Sequence, residues 1–388
     1  MHTRNRKSMG IKVLNLLAAG LLVAALVLGC NTNVSNGGEV QPPTPPVTDG
    51  YTVTMSAGVN GSITANPVIP AGGKVAKDAE ITFTATANPG YRVHTWTITG
   101  GTIQAGGQQG DTTAKVKVIA DTTVNVTFKP IVYTPVAYAD LPNHLTTAQP
   151  ETNGIYYIEV TGLTAPDVKG NILSDSESPL GKILKKNKKK KVALKFGTIS
   201  YGVTDMTKCF EGCTNLVQVS NIPDSITDMY GCFRGCTKLE QVSNIPDSIT
   251  DMSSCFGGCT KLEQVPNIPD SVTNMNFCFY RCTSLTSVPN IPNSVTNMWS
   301  CFEGCTKLEQ VPNIPNSVKD MIWCFVGCTS LTSVTLKCEY LDGKFNVAFS
   351  GCRSLSADSI KVPADSLDDY KDNADKMKAE AEWFAKDE

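Results

Sequence analysis

The sequence is short of several residue types, and each shortage argues against a class of function. Only three histidines are present, and beyond residue 29 they are His94 and His144. The formal net charge is −2, a balance that does not favour nucleic acid as a partner. The chain has no nucleophile elbow, no HExxH motif and no phosphate-binding loop. The sequence therefore predicts a protein that is not an enzyme, with no catalytic residues, metal or cofactor.

Long apolar runs are also scarce. The one such run extends from Val13 to Leu28 behind a basic leader, and it is too short and too close to the start for a membrane span. A basic leader, a short apolar stretch and a small residue at its end are typical of a secretory signal. Residues 1–29 are therefore predicted to be a signal peptide.

The stretch "LVLGC" that ends at Cys30 resembles the lipobox of bacterial lipoproteins, with Val27 in the place usually held by leucine. The resemblance implies cleavage before Cys30 and attachment of lipid to it. The predicted location is the bacterial cell envelope, at the outer membrane or cell surface, with the lipid as the contact to the membrane. Residues 30–50 are rich in proline and glycine, which predicts a semi-extended tether.

From residue 51 to 130 apolar and polar residues alternate, as in Ile81, Phe83 and Ala85. This pattern predicts five or six short antiparallel strands. The stretches "YTVTMSAGVNGSITANP", "NPGYRVHTWTITGG" and "DTTVNVTFKP" resemble the divergent internalin B-repeat family, which implies a small β module of surface proteins. Residues 131–152, which contain three prolines, are predicted to be a linker.

An internal repeat is the strongest signal in the chain. A C-F-x-x-C motif recurs six times, and its first cysteine returns every 23 residues at Cys209, Cys232, Cys255, Cys278, Cys301 and Cys324. One unit cannot bury its apolar side alone, so the units are predicted to stack. We expect seven units over 203–363, with a cap at 153–202 and a C-terminal capping helix at 364–388.

The units and the C-terminal segment resemble BspA-like leucine-rich repeats of bacterial surface lipoproteins. The residues that carry this resemblance are "SVTNM", "CTSLTSVPNIPN" and the segment from "VTLKCEYLDG" to "AEAEWF". The resemblance implies a mainly β chain, in which a small antiparallel β domain precedes a right-handed solenoid of short strands and helical turns. It also implies a role in adhesion, but it transfers no ligand-binding residue.

The repeated cysteines allow three interpretations. Zinc accepts four thiolates, but the motif repeats evenly and the array has no histidine. Disulfides suit an exported protein, but pairing every cysteine requires an alternation between units that the sequence lacks. Packing as small buried side chains is favoured, because the seventh unit has Ala348 where the others have cysteine.

The two residues before each first cysteine vary most and are predicted to face outward. Stacking would place Tyr230, Trp299 and Ile322 in one row, and Phe277 and Trp323 in the next. Exposed aromatic side chains are typical binding anchors. Scattered exposed apolar residues are nevertheless common, so packing on neighbouring turns, or single surface positions, is the interpretation favoured from sequence alone.

A lysine-rich run is the other candidate surface. It comprises Lys185, Lys186, Lys188, Lys189, Lys190 and Lys191. Such a run is able to contact anionic lipid, polysaccharide or nucleic acid. The favoured interpretation is a solvated helix end, where lysines complement the helix dipole.

Together these features predict a lipid-anchored surface protein whose array binds a host or bacterial protein or a glycan without catalysis, and not nucleic acid. Two alternatives remain open at this stage. The first is a structural spacer or envelope scaffold that faces the periplasm. The second is a thiol-rich metal-binding or redox module.

Overall fold

The computed structural model describes residues 50–387 apart from Pro89, Asp175 and Tyr201. The predicted signal peptide, Cys30 and all of the predicted tether except Gly50 lie outside the described residues. None of the helices in this part of the chain is long and apolar enough to cross a bilayer.

The first domain is a six-stranded β module. Its strands are β1 (Tyr51–Ala57), β2 (Gly61–Asn66), β3 (Lys74–Val75), β4 (Glu80–Ala87), β5 (Tyr91–Gly106) and β6 (Thr113–Pro130). Their order in the sheet is β2-β4-β6-β1-β3, and β5 pairs with β6. The predicted shared face is confirmed, because Ile81, Phe83 and Ala85 are all buried.

One strand pair differs from the predicted antiparallel arrangement. Strand β1 runs parallel to the second half of β6, from Val53 opposite Thr122 to Ala57 opposite Val126, whereas the other pairs in the module are antiparallel. Strand β6 is long enough to pair with β4 through its first half and with β1 through its second. Alternation of apolar residues specifies the buried face of a strand and not the direction of its neighbour, so the sequence pattern left this pairing unspecified.

The segment predicted as a linker belongs to the folded array. It contains β7 (Thr134–Ala137), a 3₁₀ turn (Tyr138–Asp140) and α1 (Leu141–Thr147). Leu141 and Leu145 are fully buried. The prolines suggested a linker, but two of them lie where a folded element tolerates them. Pro142 is in the first turn of α1, where a backbone N–H would have no partner within the helix. Pro135 is on an edge strand, where a missing N–H costs no bond in the sheet.

The cap of the array is built from parallel strands and short helices. Its elements are β8 (Ile155–Thr161), α2 (Ala165–Val168), α3 (Pro179–Lys186) and β9 (Lys191–Phe196). Helix α3 begins at Ser178, whose hydroxyl accepts a hydrogen bond from the Gly181 N–H. Strands β7, β8 and β9 lie side by side in parallel and continue into the first repeat strands, β10 (Leu216–Ser220) and β11 (Gln241–Val242).

The repeats stack as predicted, and their fixed apolar positions form one continuous core. The phenylalanine between the cysteines of each unit is fully buried, and successive rings lie parallel with centroids 5.4–5.7 Å apart. Such ring pairs contribute about 0.5–1.5 kcal/mol each beyond their burial. This column of rings contains Phe210, Phe233, Phe256, Phe279, Phe302, Phe325 and Phe349.

The curved side of each unit is a tight turn and not a helix. Hydrogen bonds from alternate residues to the third residue before them close the turn, as from Cys232 N–H to the Met229 carbonyl at 3.0 Å. Further bonds run between units, as from Phe233 N–H to the Cys255 carbonyl at 2.8 Å. Because each layer is bonded to the next, the turn needs no helix to satisfy its backbone.

The C-terminal segment is not one capping helix as predicted. After β12 (Val334–Thr335) and β13 (Ile360–Val362) come a 3₁₀ turn (Ala364–Ser366), α4 (Leu367–Asp372), α5 (Ala374–Met377), a second 3₁₀ turn (Ala381–Trp383) and β14 (Phe384–Lys386). Lys378 adopts a left-handed conformation that ends α5. The chain then returns to the sheet, where Phe384 is buried against the last ring of the core column, Phe349.

A charged contact joins the β module to the cap. The Arg92 guanidinium donates to a Glu151 carboxylate oxygen at 2.6 Å and lies 5.1 Å from the centre of the Tyr157 ring. Gly110 packs so closely on Asn153 that a Cβ at this glycine would lie 2.8 Å from the Asn153 Cβ. We refer to these five residues as the domain junction.

Candidate binding surface

An aspartate or asparagine begins the turn of each unit. Its side-chain oxygen accepts the N–H of the second residue after it, at distances between 2.7 and 3.2 Å. This local bond is the Asx turn that these two residue types favour. The residues that accept are Asp205, Asp228, Asp251, Asn274, Asn297 and Asp320.

The residue that follows this turn, immediately before the first cysteine, is left-handed in every regular unit. Its φ lies between 49° and 58°, and only Gly231 adopts such a φ without steric cost. For other residues the conformation costs roughly 1–2 kcal/mol. The non-glycine residues held in this conformation are Lys208, Ser254, Phe277, Ser300 and Trp323.

The fourth unit carries a second left-handed residue that is not glycine. Arg281, with φ 55°, occupies the position that glycine takes in the other units, as in Gly258 and Gly304. The Arg281 side chain lies over Gly304, where an added Cβ would be 3.1 Å from the Arg281 Cγ. Two residues of this unit, Phe277 and Arg281, therefore hold costly conformations only four positions apart.

Four aromatic rings from units four to six lie in contact at this place. Phe277 contacts Tyr280 with ring centres 5.7 Å apart, and Trp299 with ring centres 5.4 Å apart. Trp299 in turn contacts Trp323 at 6.3 Å. The Arg281 guanidinium lies 5.0 Å from the centre of the Tyr280 ring, within the range of a cation–π contact. We call Phe277, Tyr280, Trp299 and Trp323 the aromatic patch.

The aromatic patch is open to solvent at its two tryptophans. Trp299 is 37% exposed and Trp323 43%, whereas Phe277 and Tyr280 are half-buried beneath and beside them. The tilts between neighbouring rings, 49° and 54°, present faces as well as edges to solvent. Exposed aromatic rings that are held in place by neighbours lose little conformational freedom when a ligand binds.

The structure brings together only part of the predicted surface. Phe277, Trp299 and Trp323 are in contact, although they come from two predicted rows. Tyr230 and Ile322 are half-buried, and in the part of the chain that the structure describes neither makes a ring contact with the aromatic patch. Tyr280 and Arg281 were missed. The signal for them is the variant motif "CFYRC", in which arginine replaces the glycine of the other units.

The repeat cysteines are buried and unbridged in the structure. From the second unit on, the second thiol of each pair donates to a phenylalanine carbonyl of the preceding unit, as from Cys259 Sγ to the Phe233 oxygen at 3.1 Å, whereas Cys213 donates to the Gly181 carbonyl of the cap. Burial raises the pKa of these thiols, to about 12 for Cys282. Ala348 is buried at the equivalent place in the seventh unit, and its carbonyl accepts the Phe325 N–H in the same way. This arrangement is that of packed side chains.

Thiols that stay protonated are poor metal ligands and poor nucleophiles, since both roles require the thiolate. Among the residues described, no group of three or more histidine, cysteine, aspartate or glutamate side chains is arranged to hold a metal ion.

The lysine run has divided roles. Lys185, in the last turn of α3, pairs with Glu177 at 3.0 Å, and Lys190 lies 5.0 Å from the centre of the Tyr156 ring. Both side chains therefore stabilise the cap. The remaining members of the run, Lys186, Lys188, Lys189 and Lys191, are exposed.

Two family profiles match the chain. The profile described as "BspA type Leucine rich repeat region" matches 193–299 and 254–374, in six copies. The profile described as "Divergent InlB B-repeat domain" matches 51–132. No curated protein gives a significant match.

Solved leucine-rich-repeat proteins from two bacteria are similar to the array. A leucine rich repeat protein of T. pallidum is 29% identical over 36% of this chain and 77% of its own, with a TM-score of 0.30. A leucine-rich repeat protein from Bacteroides ovatus is 20% identical over 45% of this chain and 63% of its own, with a TM-score of 0.22. Both TM-scores are low, and neither superposition supports a conclusion about this chain.

The matched ranges agree with the two folded parts described above. The chain thus carries a divergent InlB B-repeat domain at 51–132, followed by a BspA-type leucine-rich-repeat region at 193–374.

Proposed function

We propose that this protein is a lipid-anchored protein of the bacterial cell surface whose repeat array binds a protein or glycan without catalysing a reaction. The observation that carries the proposal is the aromatic patch, in which two exposed tryptophans are supported by two further rings. Repeats of this family are typical of surface proteins that act through binding.

Conformational strain supports the assignment of the patch to binding. Phe277 and Trp323 occupy a left-handed position that glycine fills in the second unit. A scaffold alone gains nothing from a bulky ring there, since glycine is free of the steric cost. Strained residues cluster at sites of function, and aromatic anchors dominate the binding energy of many interfaces.

A binding screen of the mature chain against matrix proteins and glycans tests the function. We expect Trp299→Ala and Trp323→Ala each to weaken binding of any ligand found at least tenfold, which corresponds to about 1.4 kcal/mol for an anchor residue. Leu173→Ala is the matched control, because Leu173 is an exposed apolar residue of the cap outside the patch. Equal binding by the two tryptophan variants and the control contradicts the proposal.

The anchor and the location have separate tests. We expect the chain expressed in a bacterial host to incorporate radioactive palmitate, and Cys30→Ser to remain unlabelled while it is still exported. Protease treatment of intact cells is expected to remove the array. An array that stays protected until the envelope is opened favours the periplasmic scaffold instead.

A further inference from the structure

Arg281 gives the aromatic patch a cationic end. Its side chain is exposed and rests on the Tyr280 ring. Two other arginines, Arg92 and Arg234, pair with glutamates. Within the described residues no carboxylate lies at ion-pair distance from Arg281. A guanidinium that is fixed over a ring and free of an acid is suited to a carboxylate or phosphate from outside, which it contacts through two parallel N–H groups.

The cost of this arrangement argues against an accidental surface charge. Arg281 replaces the glycine of the other units at a left-handed position, and it is accommodated because the next unit keeps Gly304 beneath it. The same unit supplies Phe277 and Tyr280. One unit of the array therefore replaces the fixed glycine with arginine and places aromatic residues at two variable positions beside it, and all three side chains build the same surface.

The patch and Arg281 form a path along the array. Contacts run from Arg281 through Tyr280, Phe277 and Trp299 to Trp323. These residues come from three successive units, so the path crosses two layer spacings, or about 10 Å. A ligand that matches it is elongated, presents apolar faces in succession and carries negative charge towards the Arg281 end.

The backbone at the patch offers nothing to a peptide. The N–H groups of Phe277, Arg281 and Ser300 already donate to carbonyls of the following unit, at 2.7–2.9 Å. An extended peptide binds most simply by adding to a free strand edge or by filling a groove, and here the edge is used by the next layer. A sugar ring requires only a flat aromatic face. The face of an aromatic ring is the negative part of its quadrupole, and it attracts the weakly positive C–H groups of the sugar.

We propose that the aromatic patch and Arg281 bind an acidic glycan. Sugar rings stack on Trp299 and Trp323, and a sugar carboxylate pairs with the Arg281 guanidinium. This inference rests on the proposed binding function and adds the chemical class of the ligand. Glu303 holds in the fifth unit the position that Tyr280 holds in the fourth, and its backbone carbonyl accepts the Arg281 N–H at 2.7 Å. Its negative charge is expected to weaken binding.

The test compares two forms of one sugar chain. Binding of a galacturonate hexamer and of its fully methyl-esterified form to the mature chain is measured by titration calorimetry. We expect the acid to bind at least tenfold more tightly than the ester, because only the acid offers a charged oxygen to the Arg281 guanidinium. Arg281→Gly is expected to remove this preference, and Trp323→Gly to weaken binding of both forms.

Matched variants separate this effect from general charge and from misfolding. Arg353→Ala removes a positive charge outside the patch and is expected to leave the preference intact, while Glu303→Gln is expected to strengthen binding of the acid. Arg281→Gly restores the glycine of the other units, and Trp323→Gly installs the glycine that the second unit has at Gly231, so each is expected to melt no lower than the parent.

Three outcomes overturn the inference: equal affinity for acid and ester, an unchanged preference in Arg281→Gly, or tighter Arg281-dependent binding of hexaglutamate than of the sugar acid. If one of these occurs while Trp299→Ala still loses the ligand found in the binding screen, the binding function stands and only the ligand class is wrong. If the tryptophan variants bind every ligand normally, both proposals fall.

Discussion

Single residues at the turns decide both the strain and the chemistry of the repeat surface. Two left-handed positions per unit recur along the array, one before the first cysteine and one before the second. Glycine is suited to both, yet the fourth unit fills them with Phe277 and Arg281. The same backbone therefore carries side chains that differ from unit to unit without a change in the buried core.

Exchanging glycine and arginine at this position is expected to change stability in opposite directions in two units. Arg281→Gly should raise the free energy of unfolding slightly, because relief of about 1–2 kcal/mol of strain exceeds the added entropy of the unfolded glycine. Gly258→Arg should lower it by about 1 kcal/mol. Urea denaturation of both variants measures the difference, and an equal effect of the two substitutions contradicts the account of strain.

The buried thiols predict sensitivity to alkali. Burial raises the pKa of each repeat cysteine above its value in the unfolded chain, to about 12 for Cys282 and Cys352. Below pH 8.5 the thiols are protonated in both the folded and the unfolded chain, so they do not make the free energy of unfolding depend on pH. Above it the unfolded chain loses protons that the folded chain keeps, so the free energy of unfolding falls as pH rises.

The expected slope is about 1.4 kcal/mol per pH unit for each cysteine that unfolds in the same cooperative step. Urea midpoints measured from pH 7 to pH 10 test this. Cys255→Ala is the control, since Ala348 shows that alanine fits the equivalent site. It should reduce the slope by the contribution of one cysteine, about 1.4 kcal/mol per pH unit. A midpoint that is flat up to pH 10 contradicts burial of protonated thiols.

At the scale of the elements, the array is held together by short contacts that repeat from one unit to the next, and not by long strands or helices. Between β11 and β12 the layers meet through single parallel bridges, as between Asp251 and Asn274, together with further backbone bonds and the column of phenylalanine rings. These contacts join residues about one repeat apart and recur in successive units, which explains why spacing alone predicted the stacking. The helical turn that the family resemblance implies is a single turn closed by bonds from a residue to the third residue before it, and it does not extend into a helix.

The Asx turn gives a test at this scale. Asp228→Ala removes the acceptor for the Tyr230 N–H and should lower the free energy of unfolding by about 1 kcal/mol. Asp228→Asn should cost much less, because Asn274 and Asn297 make the same bond in their own units. Thermal unfolding of the two variants distinguishes them, and equal losses contradict a specific role of the side-chain oxygen.

At the scale of the whole molecule, repeats were easier to predict than ends. The 23-residue period specifies the stacking of units and the buried cysteines, because every copy repeats the same apolar positions. Strand β7 and helix α1 were taken for a linker because the segment contains three prolines. Pro135 and Pro142 lie at positions where a strand or a helix tolerates proline, so they did not mark a break in the fold. Helices α4 and α5 were taken for one helix because their amphipathic pattern continues across the break at Asn373. The aromatic patch depends on contacts between units, which a single unit's pattern does not reveal.

The domain junction is expected to couple the β module to the array. Arg92→Ala removes both the bond to Glu151 and the contact with the Tyr157 ring, and it leaves the acid without its close partner. We expect faster cleavage by a low level of chymotrypsin at Tyr133 or Tyr138, which lie in the segment between the module and the cap, than in the parent. Lys129→Ala is the control, because Lys129 lies 3.9 Å from the same carboxylate and contributes weakly. Equal cleavage of the two variants and the parent contradicts a role for the junction.

The domain junction also has a mechanical consequence. Under the proposed anchoring, a ligand seated on units four to six and pulled away from the cell transmits tension to the lipid through every layer before it. The junction and the bonds between these layers are then loaded in series, so the weakest of them sets the force at which the protein yields. The seventh unit and the C-terminal helices lie beyond the point of attachment and carry no load, and their contribution is to keep the last ring of the core covered.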